Sequence, residues 1–178
     1  AFFGEASGFY QTGSSNTAVG KGAMQGGGTT KNGYENTAIG GTSLLGLGTG
    51  DRNTSIGYGS GLVIYDGNQN ITIGYLAGDN ITSGDGNVII GSINADSATG
   101  DTQLIIADGT DGSVAWIKGD SSGNLTFGGT ITIGSATVTE AQLEILDGAT
   151  ITTTELNLID GGTSRGTDAV ASGDGLLI

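Results

Sequence analysis

Three residue types are missing from this chain, and each absence removes a class of explanation. Without cysteine there are no disulfide staples and no thiolate metal sites. Without histidine as well, the commonest general base and the usual partner of a nucleophile are gone. Without proline, no turn is fixed by a locked φ, so turn geometry falls to other residues. Cations are scarce too. Lys21, Lys31, Arg52, Lys118 and Arg165 are the five basic residues against 18 acidic ones, and the formal net charge is −13. A phosphate backbone or an anionic membrane surface needs a basic footprint, so neither nucleic acid nor membrane is expected as a partner. Apolar runs such as NVIIGSI are too short to span a bilayer.

What is present in excess is glycine, 37 of 178 residues, against a usual share of ~7%. It does not fall at every third position, which excludes a collagen helix. It falls in a longer pattern. Asn16, Asn36, Asn53, Asn70 and Asn87 recur with one interval of twenty positions and then three of seventeen. Three residues before each stands Gly13, Gly33, Gly50, Gly67 or Gly84. Three after each stands Val19, Ile39, Ile56, Ile73 or Ile90, followed at once by Gly20, Gly40, Gly57, Gly74 or Gly91. The opening AFFGEAS fits as an earlier, truncated copy.

A fixed period with fixed glycines predicts a solenoid. Helical repeats need ~33 residues or more, whereas this period accommodates two short strands and two turns. The glycines mark positive φ or close approach between coils. The asparagines are expected to stack at turns. One aliphatic residue per coil, Val19 through Ile90, is expected to point inward as a core spine, contributing ~1.5–3 kcal/mol per coil. So thin a core predicts that several chains share their apolar faces on a common axis. Six coils at the strand spacing of ~4.8 Å would extend about 30 Å.

The segments NTAVGKGAM, NTAIGGTSL and NTSIGYGSG resemble the head repeats of YadA-type trimeric autotransporter adhesins. They also resemble repeats of bacteriophage tail-fibre proteins, notably those of cyanophage-like viruses. The resemblance covers residues 1–92 and implies a homotrimeric left-handed parallel β-roll. The insertions at QGGGTTK and GLVIYDG depart from it.

Beyond Ser92 the period is no longer legible. TQLIIA, SVAWIK, NLTF and TITIG read as strands separated by DGTDG, GDSSG and GG, so 93–138 is expected to form a β-meander. TEAQLEILDG and TTTELNLIDG, starting at Thr139 and Thr152, each carry a capping-box pattern and end on Asp-Gly. Short helices are therefore expected over 139–178, in a linker to a further module. This phrase resembles a segment of cyanophage structural proteins, which favours a viral origin. The fold class expected is all-β: a homotrimeric β-roll solenoid, a meander, then short helices.

The chemistry-bearing candidates are weak. Glu140 and Glu144 stand at i, i+4 and read as a solvated helix face. Asp108 and Asp111 in DGTDG lack the other ligands of a calcium loop and read as a turn. GLGTGD and GYGSGL complete no phosphate-binding motif. No catalytic residue, metal site or cofactor is assigned. Tyr58 and Tyr75 follow the repeat glycine in adjacent copies and should form an outer ladder. With Tyr34, Tyr65 and Trp116 they are candidate glycan contacts, although aromatic cover over a narrow coil accounts for them more simply.

The function expected is structural: a segment of a viral tail fibre, extracellular on the virion. Its partners would be two further copies of itself, other tail components, and a host surface glycan or protein. The alternatives are a bacterial trimeric adhesin head and, more remotely, a polysaccharide-cleaving tailspike.

Overall fold

The structure is a computed structural model that describes residues 1–26, 32–134 and 136–138. Among these residues every regular element is a strand. The helical repeat expected over 139–178 lies outside the described residues.

Seven strands stack in parallel: β1 (Phe2–Phe3), β2 (Thr17–Val19), β3 (Thr37–Ile39), β4 (Thr54–Ile56), β5 (Ile71–Ile73), β6 (Val88–Ile90) and β7 (Leu104–Ala107). Each strand follows its predecessor by one coil and pairs with it in register, so Thr17, Thr37, Thr54, Ile71, Val88 and Leu104 form one continuous row. This is a β-solenoid. Two antiparallel strands, β8 (Ala115–Gly119) and β9 (Leu125–Phe127), extend the same sheet to nine strands. A separate two-stranded sheet of β10 (Ile131–Ile133) and β11 (Ala136–Val138) begins at the boundary between two compact units, 1–131 and 132–178.

The repeat glycines hold the coils at their spacing. Gly20, Gly40, Gly57 and Gly74 adopt φ between 129° and 137°, a region closed to L side chains. A Cβ on any of them would overlap the backbone of the glycine one coil further on. Gly33, Gly50, Gly67 and Gly84 lack the positive φ but meet the same obstacle from the carbonyl of the following coil.

Asn36, Asn53, Asn70 and Asn87 link three coils each. Asn53 is fully buried. Its Nδ2 donates backward to Asn36 Oδ1 at 3.1 Å and forward to the Gly67 carbonyl at 2.8 Å. Its Oδ1 accepts the backbone N–H and the Nδ2 of Asn70, both at 3.0 Å. Asn36 and Asn70 repeat the pattern. A buried amide with all its hydrogen-bonding capacity engaged is a strong register constraint, because sliding by one residue would strand it.

The parallel ladder outlasts the period read from the sequence. Gln103 occupies the asparagine position of a further coil: its N–H and Nε2 both donate to Asn87 Oδ1, at 2.8 and 3.0 Å. With no asparagine coil following, Nε2 turns to its own coil and meets the Gly100 carbonyl at 2.8 Å. Residues 100–107 therefore add one more rung to the solenoid's parallel ladder, and the antiparallel strands begin only after it. The following repeat-glycine position is Ala107. β7 pairs in parallel with β6 on one side and antiparallel with β8 on the other, and the antiparallel pairing shifts register at Ile106/Ala107.

The expected core spine is corrected by the structure. Val19, Ile39 and Ile56 are 37–40% exposed and Ile73 and Ile90 are half-buried. Alternation along each strand sends the middle residue inward instead: Ala18, Ala38, Ser55, Thr72, Ile89 and Ile105 are buried. These inward residues enlarge along the chain while an opposing position shrinks, from Met24 and Leu44 to Gly61 and Gly78. A Cβ on Gly78 would stand 2.8 Å from Thr72 Cγ2 and 3.0 Å from Ile81 Cδ1, so the exchange keeps the interior filled. Inside the middle coils Ser55 Oγ lies 2.6 Å from Thr72 Oγ1, and Ser60 Oγ donates to the Thr72 carbonyl at 2.8 Å.

Candidate functional site

Because the middle residue of every strand points in, its two neighbours point out. The outer face of the sheet therefore carries two parallel rows. One row runs from Phe3 and Val19 through the Ile residues of β3 to β7. The other runs from Thr17, Thr37 and Thr54 to Ile71, Val88 and Leu104. The antiparallel strands continue both rows. Ile106 faces Ile117, which faces Phe127; Leu104 faces Gly119, which faces Leu125. Cross-strand partners share a sheet face. The change of strand direction thus leaves the surface unbroken.

No charged side chain enters either row from β2 to β9, in a chain of net charge −13. Ile71 is 39%, Leu125 56% and Phe127 45% exposed. Monomers rarely leave a contiguous apolar patch of this kind in water, and an uncharged apolar stripe with polar flanks marks an interaction surface.

The polar flank is a second, outer ladder that sequence reading missed. Asp51, Asn68, Asp85 and Asp101 each follow a repeat glycine. The side-chain oxygen of each later residue accepts the backbone N–H of the earlier one: Asp51 N–H to Asn68, Asn68 N–H to Asp85, and Asp85 N–H to Asp101. The signal was available, since Gly-(Asp/Asn) precedes the ladder amide in four coils. It was obscured by Ser14 and Tyr34 at the same position of the earlier coils.

Tyr58 and Tyr75 do stack, with ring centroids 5.8 Å apart and planes within 13°. A Cβ on Gly41 would lie 3.2 Å from Tyr58 Cδ2, so that ring rests on the coil before it. Tyr34 belongs to the outer Asp/Asn row, and a Cβ on Gly48 would meet the Tyr65 ring at 2.9 Å. Trp116 sits in β8 on the face opposite Ile117.

Acidic side chains serve the backbone. Asp108 accepts N–H groups from Thr110 at 2.9 Å and Asp111 at 3.1 Å, and its other oxygen takes Val114 N–H at 2.8 Å. These bonds, Val114's first, hold its carboxyl at about 2, well below the usual range. The residue is the hinge of the β7–β8 turn. A cleft of about 390 Å³ is lined by Asp96, Asp101 and Asp120 among others. Its carboxylates are also engaged: Asp96 with Lys118 at 2.7 Å, Asp101 with Asp85 N–H, and Asp120 with the N–H groups of Ser122 and Asn124. Among the described residues no group of three or more acidic side chains is placed to hold a metal, and no helix is long and apolar enough to cross a membrane.

No family model, curated protein or solved structure matches the chain.

Proposed function

We propose that the chain is a structural, non-enzymatic segment of a homotrimeric fibre, in which three solenoids turn their outer strand faces to a common axis. The observation that carries this reading is the uncharged two-row stripe running from β2 to β9. A single chain leaves it in water, whereas three chains around one axis would bury it. The aliphatic residues first expected inside each coil would then lie inside the assembly. The coil itself is held by the asparagine ladder and by its own buried core of Met24, Leu44, Leu47, Ile64, Ile81 and Ile89, so the outward row is not needed to fill it. The resemblance of residues 1–92 to trimeric head repeats supports the number three. The resemblance of TEAQLEILDGAT, residues 139–150, to a linker segment of cyanophage structural proteins supports a virion tail fibre over a bacterial adhesin. In that setting the segment projects or spaces receptor-binding parts, and three copies act together through avidity.

The test is the mass of the native protein in solution, by light scattering or native mass spectrometry. Three times the chain mass of 17.5 kDa is expected. Ile56→Asp together with Ile73→Asp should yield single chains with unchanged β circular dichroism, because both side chains point away from the coil. A wild-type protein that stays a single chain at high concentration refutes the proposal.

A further inference from the structure

We propose that self-association is graded along the stripe: the half from Ile71 to Leu104 carries it, and the threonine coils are the end that opens first. This rests on the trimeric reading. It comes from a difference between the two outward rows. One is aliphatic in every coil from Val19 to Ile106, whereas the other changes character midway. In β2, β3 and β4 it presents Thr17, Thr37 and Thr54; in β5, β6 and β7 it presents Ile71, Val88 and Leu104.

Register makes the change consequential. The residues are consecutive rungs of one in-register parallel ladder, so they would meet the axis at the same depth. The occupant of the surface is a second copy because a stripe with one rung per coil can be matched rung for rung only by a surface of the same spacing. Its lack of charge lets identical faces meet without repulsion. At the axis an aliphatic rung gains from leaving water. A threonine hydroxyl loses its water unless it finds an acceptor across the seam. Three successive hydroxyl rungs make a wetter, weaker seam than three aliphatic ones. Beyond Leu104 the row continues through Gly119 to Leu125, with no return to threonine.

Two measurements on the full chain test this. The first compares Ile71→Thr, Val88→Thr, Leu104→Thr as one variant with Thr17→Val, Thr37→Val, Thr54→Val as another, by sedimentation over a dilution series. With each rung worth about a factor of five, the first variant should associate ~100-fold more weakly and the second ~100-fold more tightly. Circular dichroism should be unchanged in both. The second measurement exploits the absence of native cysteine. Val19→Cys and Ile106→Cys place one thiol at either end of the aliphatic row. In the associated state Val19→Cys should react with a thiol reagent at least ~10-fold faster than Ile106→Cys, each normalised to the same folded chain diluted until it dissociates. An associating wild type with equal thiol protection at both ends, or a threonine-to-valine variant that associates no more tightly, overturns the gradient alone. A monomeric wild type overturns both the gradient and the trimer.

Discussion

Replacing Asn53 by alanine should cost far more than replacing Asn68, although both belong to ladders of identical spacing. Asn53 is fully buried. Asn53→Ala removes the donor to the Gly67 carbonyl and the acceptor of the Asn70 N–H. Neither group has another partner in the ladder, whereas Asn70 Nδ2 keeps the Gly84 carbonyl and Asn36 Oδ1 keeps the Asn53 N–H. Two orphaned buried backbone groups at ~1–3 kcal/mol each give a loss of ~2–6 kcal/mol. Asn68→Ala also removes an acceptor, that of the Asp51 N–H, but at a half-exposed corner where water replaces it. A change within ~0.5–1 kcal/mol is expected there. Urea unfolding followed by far-ultraviolet circular dichroism measures both. Exchange of the Asn70 amide should accelerate selectively in Asn53→Ala, since coils couple chiefly to their neighbours. If the two variants lose equal stability, or if Asn53→Ala loses less than ~1 kcal/mol, the buried ladder is not what fixes the coils.

Three further outcomes are expected. Gly57→Ala should abolish cooperative folding, with a loss above ~4 kcal/mol: the Cβ would occupy the Gly74 carbonyl's position at φ 130°, whereas Gly109→Ala, with nothing within 4 Å, should be silent by thermal melting. Thr102→Asn should stabilise the chain by up to ~1 kcal/mol in urea unfolding, because an exposed β-branched residue sits at φ 54°, where asparagine is tolerated. The Asp108 carboxyl, lowered from 3.8 to about 2, contributes stability that is complete above its unfolded value and is lost as pH falls from 3.8 through about 2. Exchange of the Val114 amide should therefore accelerate across that window, and Asp108→Asn should remove the pH dependence.

The architecture was legible because its most stringent demands are made on residue type. Only glycine satisfies the left-handed φ that Gly57 and its counterparts adopt beside another backbone, and the asparagine amide both donates along the ladder and accepts along it. Both therefore recur visibly once per coil. The inward direction was misread because the rule that aliphatic residues face a core presumes a core wide enough to take them. Here Met24 and Leu44 already fill the interior behind β2 and β3, which leaves room there only for Ala18 and Ala38, and the inward strand position takes isoleucine at Ile89, against which Gly78 packs, and at Ile105. The last coil was missed because Gln103 replaces asparagine and Ala107 replaces glycine where the repeat ends. Those are the positions at which no further coil imposes the usual demand. Several left-handed positions were illegible for another reason. Arg52, Gln69 and Leu76 sit at φ 53–58° with no glycine to announce them. Their conformation is set by bonds to neighbouring coils, such as Arg52 N–H to the Tyr34 carbonyl and Leu76 N–H to the Tyr58 carbonyl.

These features add polar groups to the inside and aliphatic ones to the outside. Amide and hydroxyl groups that would ordinarily face water are buried beside Leu44, Ile64 and Ile81, and each ladder asparagine from Asn36 to Asn87 is engaged with coils on both sides. A further row of aliphatic residues faces outward in an unbroken stripe. Burial of polar groups with fixed geometry specifies register, since a slip of one residue breaks every bond of the ladder. Burial of aliphatic groups supplies non-directional free energy and tolerates substitution. In this chain the directional interactions define the register of the coil, buried residues such as Leu44, Ile64 and Ile81 fill it, and the outward aliphatic row is left for contacts between chains. Outward residues can then change along the sheet, from Thr54 to Ile71 or from Val19 to Ile39, without disturbing the winding beneath. Association strength is therefore free to vary along the stripe while the coil stays constant, as the proposed gradient requires.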